Sequence, residues 1–248
     1  MTARSAGVHI APFGKFDHVT DWVFDLDNTL YPAECDLFAE IDTRMTAFVS
    51  RALALPPVEA RKVQKDYYKT YGTTLSGLMH VNRIEPADFL HYVHDIDLSP
   101  LPDLPDLRAA IEALPGRKFV YTNGSRRHAE RVTEKMGLSH LFHDSFGIED
   151  AAYTPKPKQD SYDRFCGLHG VDPKQAIFFE DLARNLLPAK DMGFTTVLVH
   201  SEKDWSHEPV EARPATLEDI LKDDGPDHID YVTGDLAAFL EAARDTLK

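Results

Sequence analysis

Two carboxylates spaced two residues apart, Asp25 and Asp27, stand at the end of the apolar run Trp22-Val23-Phe24. A short apolar run closed by a polar turn reads as a buried strand. Side chains alternate along a strand, so the two carboxylates point the same way. Neighbouring carboxylates repel unless a cation joins them, and a hard divalent metal suits them. Taken alone, the pair also fits an acidic surface turn. Three later segments each deliver another chemical group. Arg117 to Tyr121 leads into Thr122-Asn123-Gly124-Ser125, and the weaker run around Phe146 and Ile148 precedes Lys156-Pro157. Ala176 to Phe179 leads into Glu180-Asp181, with Asn185 close behind. A parallel sheet gathers the carboxyl ends of its strands. A carboxylate pair, a hydroxyl, a lysine and a second acidic pair would then meet at one edge, as a phosphate and metal site.

Such a gathering requires alternating strands and helices, and the chain supplies them after residue 105. Helical patterning covers Leu104 to Leu114, Arg126 to Met136, Asp160 to Leu168 and Leu186 to Met192. Ser125 is placed to cap the second of these and Gly137 to stop it. Strand-like runs cover Phe119 to Thr122, Ile177 to Glu180 and Thr195 to Val199, with a last strand and helix at Ile229 to Val232 and Leu236 to Leu247. This alternation predicts an α/β fold: a doubly wound, mainly parallel sheet with a Rossmann-like core. The first strand is instead followed by about 70 residues of helical patterning. Leu37, Phe38, Ile41, Met45, Phe48, Val49 and Ala52 recur at helical spacing. Pro57 can open a second helix and Gly72 close it, and Glu85-Pro86-Ala87-Asp88 starts another. A proline-rich stretch from Pro100 to Pro105 ends the segment. Residues 1–33 and 106–248 would form the core, and residues 34–105 a helical cap inserted over its site.

Composition narrows the function. A net charge of −14 over 248 residues opposes a nucleic-acid-binding role, which needs a basic surface. No apolar run approaches the roughly 20 residues that span a bilayer, so no membrane partner is expected. Met1 to Phe16 lacks the long apolar segment of a secretory signal and reads as a loose tail. Cys35 and Cys166 are too few for a disulfide framework, which fits a reducing cytoplasm. A phosphate substrate would need local cations working against the global field. The polar, acidic stretch 201–227 carries no readable pattern.

In this order, the four segments resemble the motifs of the haloacid dehalogenase-like hydrolase superfamily. Asp25 to Thr29 matches its Asp-x-Asp-x-Thr strand end, Thr122 its strand-end hydroxyl, and Glu180-Asp181 its second acidic pair. Lys156 matches its lysine, with Tyr162 six residues on, although Lys158 is a second candidate. The resemblance spans about 20 to 200, and helical caps of that family sit where residues 34–105 lie here. Asp25 to Pro32 and Tyr71 to Leu78 further resemble the pyrimidine 5'-nucleotidase branch.

The resemblance implies a Mg²⁺-dependent phosphomonoester hydrolase acting on a small-molecule phosphate ester through an aspartyl-phosphate. Asp25 would be the nucleophile. Asp27 would protonate the leaving group and then deprotonate water, which calls for a carboxyl titrating nearer neutrality than usual. Mg²⁺ would bind the Asp25 carboxylate, the Asp27 backbone carbonyl and Asp181, with Glu180 or Asn185 holding its waters. Thr122, the backbone N–H of Asn123 and Gly124 would hold phosphate oxygens, and Lys156 would neutralise their charge. The branch resemblance places Tyr71 and Leu78 against a pyrimidine base and gives a nucleoside 5'-monophosphate as substrate. Phosphoglycolate or a sugar phosphate would use the same core residues. For Tyr67, Tyr68 and Tyr71 packing between helices is an equal reading. His80, His91 and His94 are expected to be solvated. A dehalogenase, a phosphomutase, a receiver-like signalling domain and a regulatory relative without turnover fit the acidic pairs, the cap or the motif order less well.

Overall fold

The computed structural model describes residues 14–205, 218 and 226–247. The expected loose tail, and most of the stretch 201–227, lie outside the described residues. Six strands form one parallel sheet: β1 (Asp21–Phe24), β2 (Arg117–Tyr121), β3 (Asp144–Phe146), β4 (Ala176–Glu180), β5 (Thr195–Val199) and β6 (Tyr231–Thr233). Their order is β3-β2-β1-β4-β5-β6, so the winding reverses between β1 and β4. Open α/β sheets bind ligands at that switch point.

Register explains why the chemical groups meet. Phe24 lies beside Val120 on one side and Phe179 on the other. The next residues, Asp25, Tyr121 and Glu180, therefore lie side by side at one level of the sheet edge. The ladder continues past the strand ends, because Asp25 N–H donates to Phe179 O at 2.9 Å and Thr122 N–H to Phe146 O at 3.0 Å.

Period-two alternation divides the strands between two cores. Trp22, Phe24, Val120, Ile177 and Phe179 face one of them. Helices α5 (Pro105–Ala113), α6 (Arg126–Lys135) and α9 (Leu236–Asp245) bury their apolar stripes there. Val23, Phe119, Tyr121 and Phe178 face the other, under α7 (Gln159–His169) and α8 (Ala183–Met192). Both faces of β1 are thus covered, as its unbroken apolar sequence requires.

Between β1 and α5 stand four helices: α1 (Leu37–Leu53), α2 (Pro57–Tyr71), α3 (Thr74–Asn82) and α4 (Pro86–Val93). Helix α3 has no counterpart in the sequence reading. Thr73 starts it by accepting the Ser76 N–H at 3.1 Å, a local cap that the short apolar stretch conceals. Gly77 lets α3 close on α2, since a Cβ there would lie 2.3 Å from Tyr67 Cγ. Leu75, Leu78, Phe89 and Val93 join the Trp22 core, so these helices share apolar packing with the sheet.

Candidate active site

Lys156 sits at the centre of the sheet edge. Its Nζ donates to Asp25 Oδ1 at 2.7 Å, Glu180 Oε2 at 2.6 Å and the Tyr121 carbonyl at 2.9 Å. The Tyr121 and Phe178 rings lie beneath the ammonium, with centroids 4.9 and 5.2 Å away. Three donors meet three acceptors, which is why a lysine only 2% exposed can stay charged there. Lys158, the competing candidate, is exposed at the start of α7.

The Asn123 side chain holds the Lys156 loop. Asn123 Oδ1 accepts the Lys156 N–H at 2.8 Å, and its Nδ2 donates to the Lys156 carbonyl at 3.1 Å. The Asn123 side chain is thereby committed to the loop, and the backbone N–H expected to meet a phosphate takes no part in these two bonds. Tyr162 donates from its hydroxyl to the Asn185 carbonyl at 2.5 Å, tying α7 to α8. Gly124 N–H donates to Thr122 Oγ1 at 2.9 Å, so that amide is occupied while the Thr122 hydroxyl proton stays available.

Oxygen atoms of Asp25, Glu180 and Asp181 lie within 4.8 Å of one another. Three buried carboxylates thus face one ammonium. Burial first, and Glu180 second, push Asp25 up to about 8 against the pull of Lys156. Asp181 is raised well above the usual carboxylate range by burial, Glu180 and Asp25. Lys156 is held above its ordinary value by Asp25 and Glu180, which outweigh its own burial. The excess negative charge suits a hard divalent cation with oxygen ligands. The Oδ1 atom of Asn185, buried and without a hydrogen-bond partner among the described residues, lies in the same cavity wall. Glu180 is tied to Lys156 and, through Oε1, to the Leu182 N–H at 3.2 Å. Asp25 and Asp181 are therefore the better placed of the three to hold a metal.

Asp27 turns away from this cluster. Its Oδ1 accepts from Tyr31 Oη at 2.5 Å and lies 3.0 Å from His128 Nε2. Burial works upward on Asp27, but attraction to His128 and the hydrogen bonds from His128 and Tyr31 prevail and hold it below its ordinary value. A carboxyl titrating nearer neutrality is thus not what its surroundings supply. His128 belongs to no motif in the sequence. It is recognisable only as a histidine at the first turn of α6, six residues beyond Thr122.

Asp25, Asp27, Thr122, Asn123, Gly124, Lys156 and Asp181 all line one cavity of about 190 Å³. Helices α1, α2 and α4 supply much of the remaining wall through Phe38, Met45, Tyr68 and Phe89. Tyr71 and Leu78 lie off the cavity. Tyr71 packs edge-on against Tyr67 at 5.8 Å, and Leu78 is fully buried in the apolar core. Tyr68, on the next face of α2, is the tyrosine that reaches the wall. His80 and His91 are exposed as expected, but His94 is buried against His128, with ring centroids 4.4 Å apart. Its place at the last turn of α4, against α6, is a tertiary contact that helical periodicity does not reveal.

Comparison with known proteins agrees with this geometry. The chain is 28% identical over 204 residues to "Phosphate metabolism protein 8" of Saccharomyces cerevisiae, covering 75% of this chain but 62% of that protein. It is 26% identical over 216 residues to N-acetylmuramic acid 6-phosphate phosphatase of Pseudomonas aeruginosa, covering 80% and 93% of the two chains. A phosphoglycolate phosphatase of Haemophilus influenzae is 26% identical over 188 residues, covering 70% and 82%. The crystal structure of a haloacid dehalogenase-like phosphatase from Thermococcus onnurineus superposes with a TM-score of 0.59 at 18% identity, over 92% and 98% of the two chains. The haloacid dehalogenase-like hydrolase family matches residues 23–193 as a whole. With its four motifs on one sheet edge and that match over most of its length, the chain belongs to the haloacid dehalogenase-like hydrolase family.

Proposed function

We propose that this protein is a Mg²⁺-dependent phosphatase of small phosphomonoesters, with phosphoglycolate-like or sugar phosphates ahead of pyrimidine nucleotides. The carrying observation is Asp25 held at 2.7 Å from Lys156, beside a surplus of carboxylates, in a cavity. An Asp nucleophile alone would also fit a dehalogenase. The second acidic pair and Asp27 favour phosphoryl chemistry, which must neutralise a phosphate and move protons.

Asp25 attacks phosphorus, the ester oxygen leaves, and Asp27 gives that oxygen a proton. Water then attacks the aspartyl-phosphate, Asp27 takes its proton, and Asp25 is released with inorganic phosphate. A bound phosphate anion places like charge near Asp27 and raises its proton affinity, while the empty site keeps Asp27 anionic. Lys156 and the Thr122 hydroxyl hold phosphate oxygens. Mg²⁺, on Asp25, Asp181 and the Asp27 carbonyl, would offset the charge gathered at the transferring group. Residues 34–105 act as the cap that closes over the leaving group.

Relatives named for phosphoglycolate and N-acetylmuramic acid 6-phosphate support the substrate order, as does the packing of Tyr71 and Leu78 away from the cavity. The nucleotide reading keeps one supporting observation, the Tyr68 ring in the cavity wall. The test is kcat/KM for phosphoglycolate, a hexose phosphate, UMP, CMP and AMP, with Mg²⁺ and after EDTA treatment. Activity independent of metal, or phosphate trapped on a residue other than Asp25, defeats the mechanism. A tenfold preference for UMP or CMP reverses the substrate order alone.

A further inference from the structure

Asp27 is supported from behind by two buried side chains that do not line the cavity. Tyr31 is 1% exposed and His128 fully buried. Both meet the same carboxylate oxygen, Oδ1, at 2.5 and 3.0 Å. Burial and the charge of Asp27 hold Tyr31 well above its ordinary value, so it remains a phenol and donates. One oxygen of Asp27 is thus fixed, and rotation about its carboxyl bond is blocked. Oδ2 has no hydrogen bond among the described residues and is left to the cavity that Asp27 lines.

His128 is itself held by its own helix and by the His94 ring. Its backbone N–H donates to Ser125 Oγ at 3.1 Å, which starts α6 and sets the ring's origin. The His94 ring stacks on it at 4.4 Å and 13°, and Ser125 Oγ meets His94 Nδ1 at 3.0 Å. Arg131, one turn along α6, donates to the carbonyls of His94 and Ile96 at 2.5 and 3.0 Å. Helix α6 therefore clasps the end of α4 and presents His128 to Asp27 in one arrangement.

Resting on the phosphatase reading, we propose that Tyr31 and His128 are positioning residues that aim the free oxygen of Asp27 at the ester oxygen. In the first step the Asp27 O–H proton moves to that oxygen as the P–O ester bond breaks and the Asp25–P bond forms. A misaimed Asp27 slows this step in proportion to how much the leaving group needs the proton. An alkoxide needs it, whereas p-nitrophenolate departs as an anion.

The test compares Tyr31→Phe and His128→Ala with the parent chain on phosphoglycolate and p-nitrophenyl phosphate. kcat/KM reports the step in which the ester bond breaks. We expect a fall of about 10- to 100-fold on the alkyl ester, below the range for deleting an acid outright. On the aryl ester it falls less than about threefold, and His128→Gln, which can return a donor, recovers part of the loss. An equal fall on both esters, or no fall on the alkyl ester, overturns the proposal. Tyr31→Phe keeps the ring and removes one oxygen, so it decides the matter should His128→Ala fail to fold. A parent chain inactive on both esters with Mg²⁺ would instead defeat the phosphatase reading.

Discussion

Strand β1 carries a buried carboxylate at each end, and the two are treated in opposite ways. At the amino end, Asp21 is 2% exposed and meets Arg117 through two bonds, Nε at 2.7 Å and Nη2 at 2.9 Å. Arg117 also donates to the carbonyls of His169 and Gly170 at 2.7 and 3.2 Å. One negative charge faces one bidentate positive charge, and the guanidinium has further acceptors. At the carboxyl end, four residues on, Asp25 shares a single ammonium with Glu180 and crowds Asp181. Both ends are buried polar clusters in one sheet, so burial alone does not mark a site. The mark is the mismatch of charge: a balanced pair needs no further partner, whereas a surplus of buried carboxylates is suited to a cation.

Breaking the comparison at the reactive end should have the largest effect. Asp25→Asn is expected to lower kcat/KM by on the order of ten-thousand-fold or more, since in the proposed mechanism Asp25 is the group that forms the acyl-phosphate. Its Tm should not fall, because one of three mutually repelling carboxylates is gone. A clear loss of Tm would make Asp25 a structural partner like Asp21. Next comes Lys156→Gln, which removes the shared ammonium. It should abolish activity and also destabilise the chain by about 3–5 kcal/mol, the range for stripping one partner from buried charges. Urea unfolding reads the second effect, and a stability equal to the parent's would deny Lys156 its central place.

Asp21→Asn tests the other end. It should cost about 1–3 kcal/mol through weakened charged hydrogen bonds, toward the low end because the Arg117 side chain is 39% exposed. Its kcat/KM should stay within about twofold, as a structural change at the far end of the strand leaves the distant chemistry alone. A tenfold loss of activity would erase the distinction between the two ends. The last test concerns pH. Asp25 is raised from 3.8 to about 8, so the folded metal-free chain favours its protonated form. That contribution to stability is complete below the unfolded value and is lost as pH rises toward about 8. The Tm of EDTA-treated protein should therefore decline between pH 5 and 8, and added Mg²⁺ should reverse most of the decline at pH 8. A Tm indifferent to Mg²⁺ at pH 8 would mean that the carboxylate surplus is not a metal site.

The amino-acid sequence by itself determined the alternation of strands and helices, because each depends on spacing within a few residues. Thr195 to Val199 was legible to the residue, and Ser125 caps α6 as its type and position imply. Asp25, Thr122, Lys156 and Asp181 were legible as strand-end groups, since parallel strands must deliver their ends to one edge. Tertiary structure alone decided which atoms meet. Lys156 reaches Asp25 across 131 residues of chain, and nothing local distinguishes it from Lys158 except the aromatic at Tyr162. The Gly124 amide was spent on Thr122, and Tyr71 and Leu78 went into packing while Tyr68 took the cavity wall. Sequence also left His94 and His128 as ordinary helical residues. Their stacking beside Asp27 exists only because α4 and α6, remote in sequence, dock there, and local spacing carries no record of such docking.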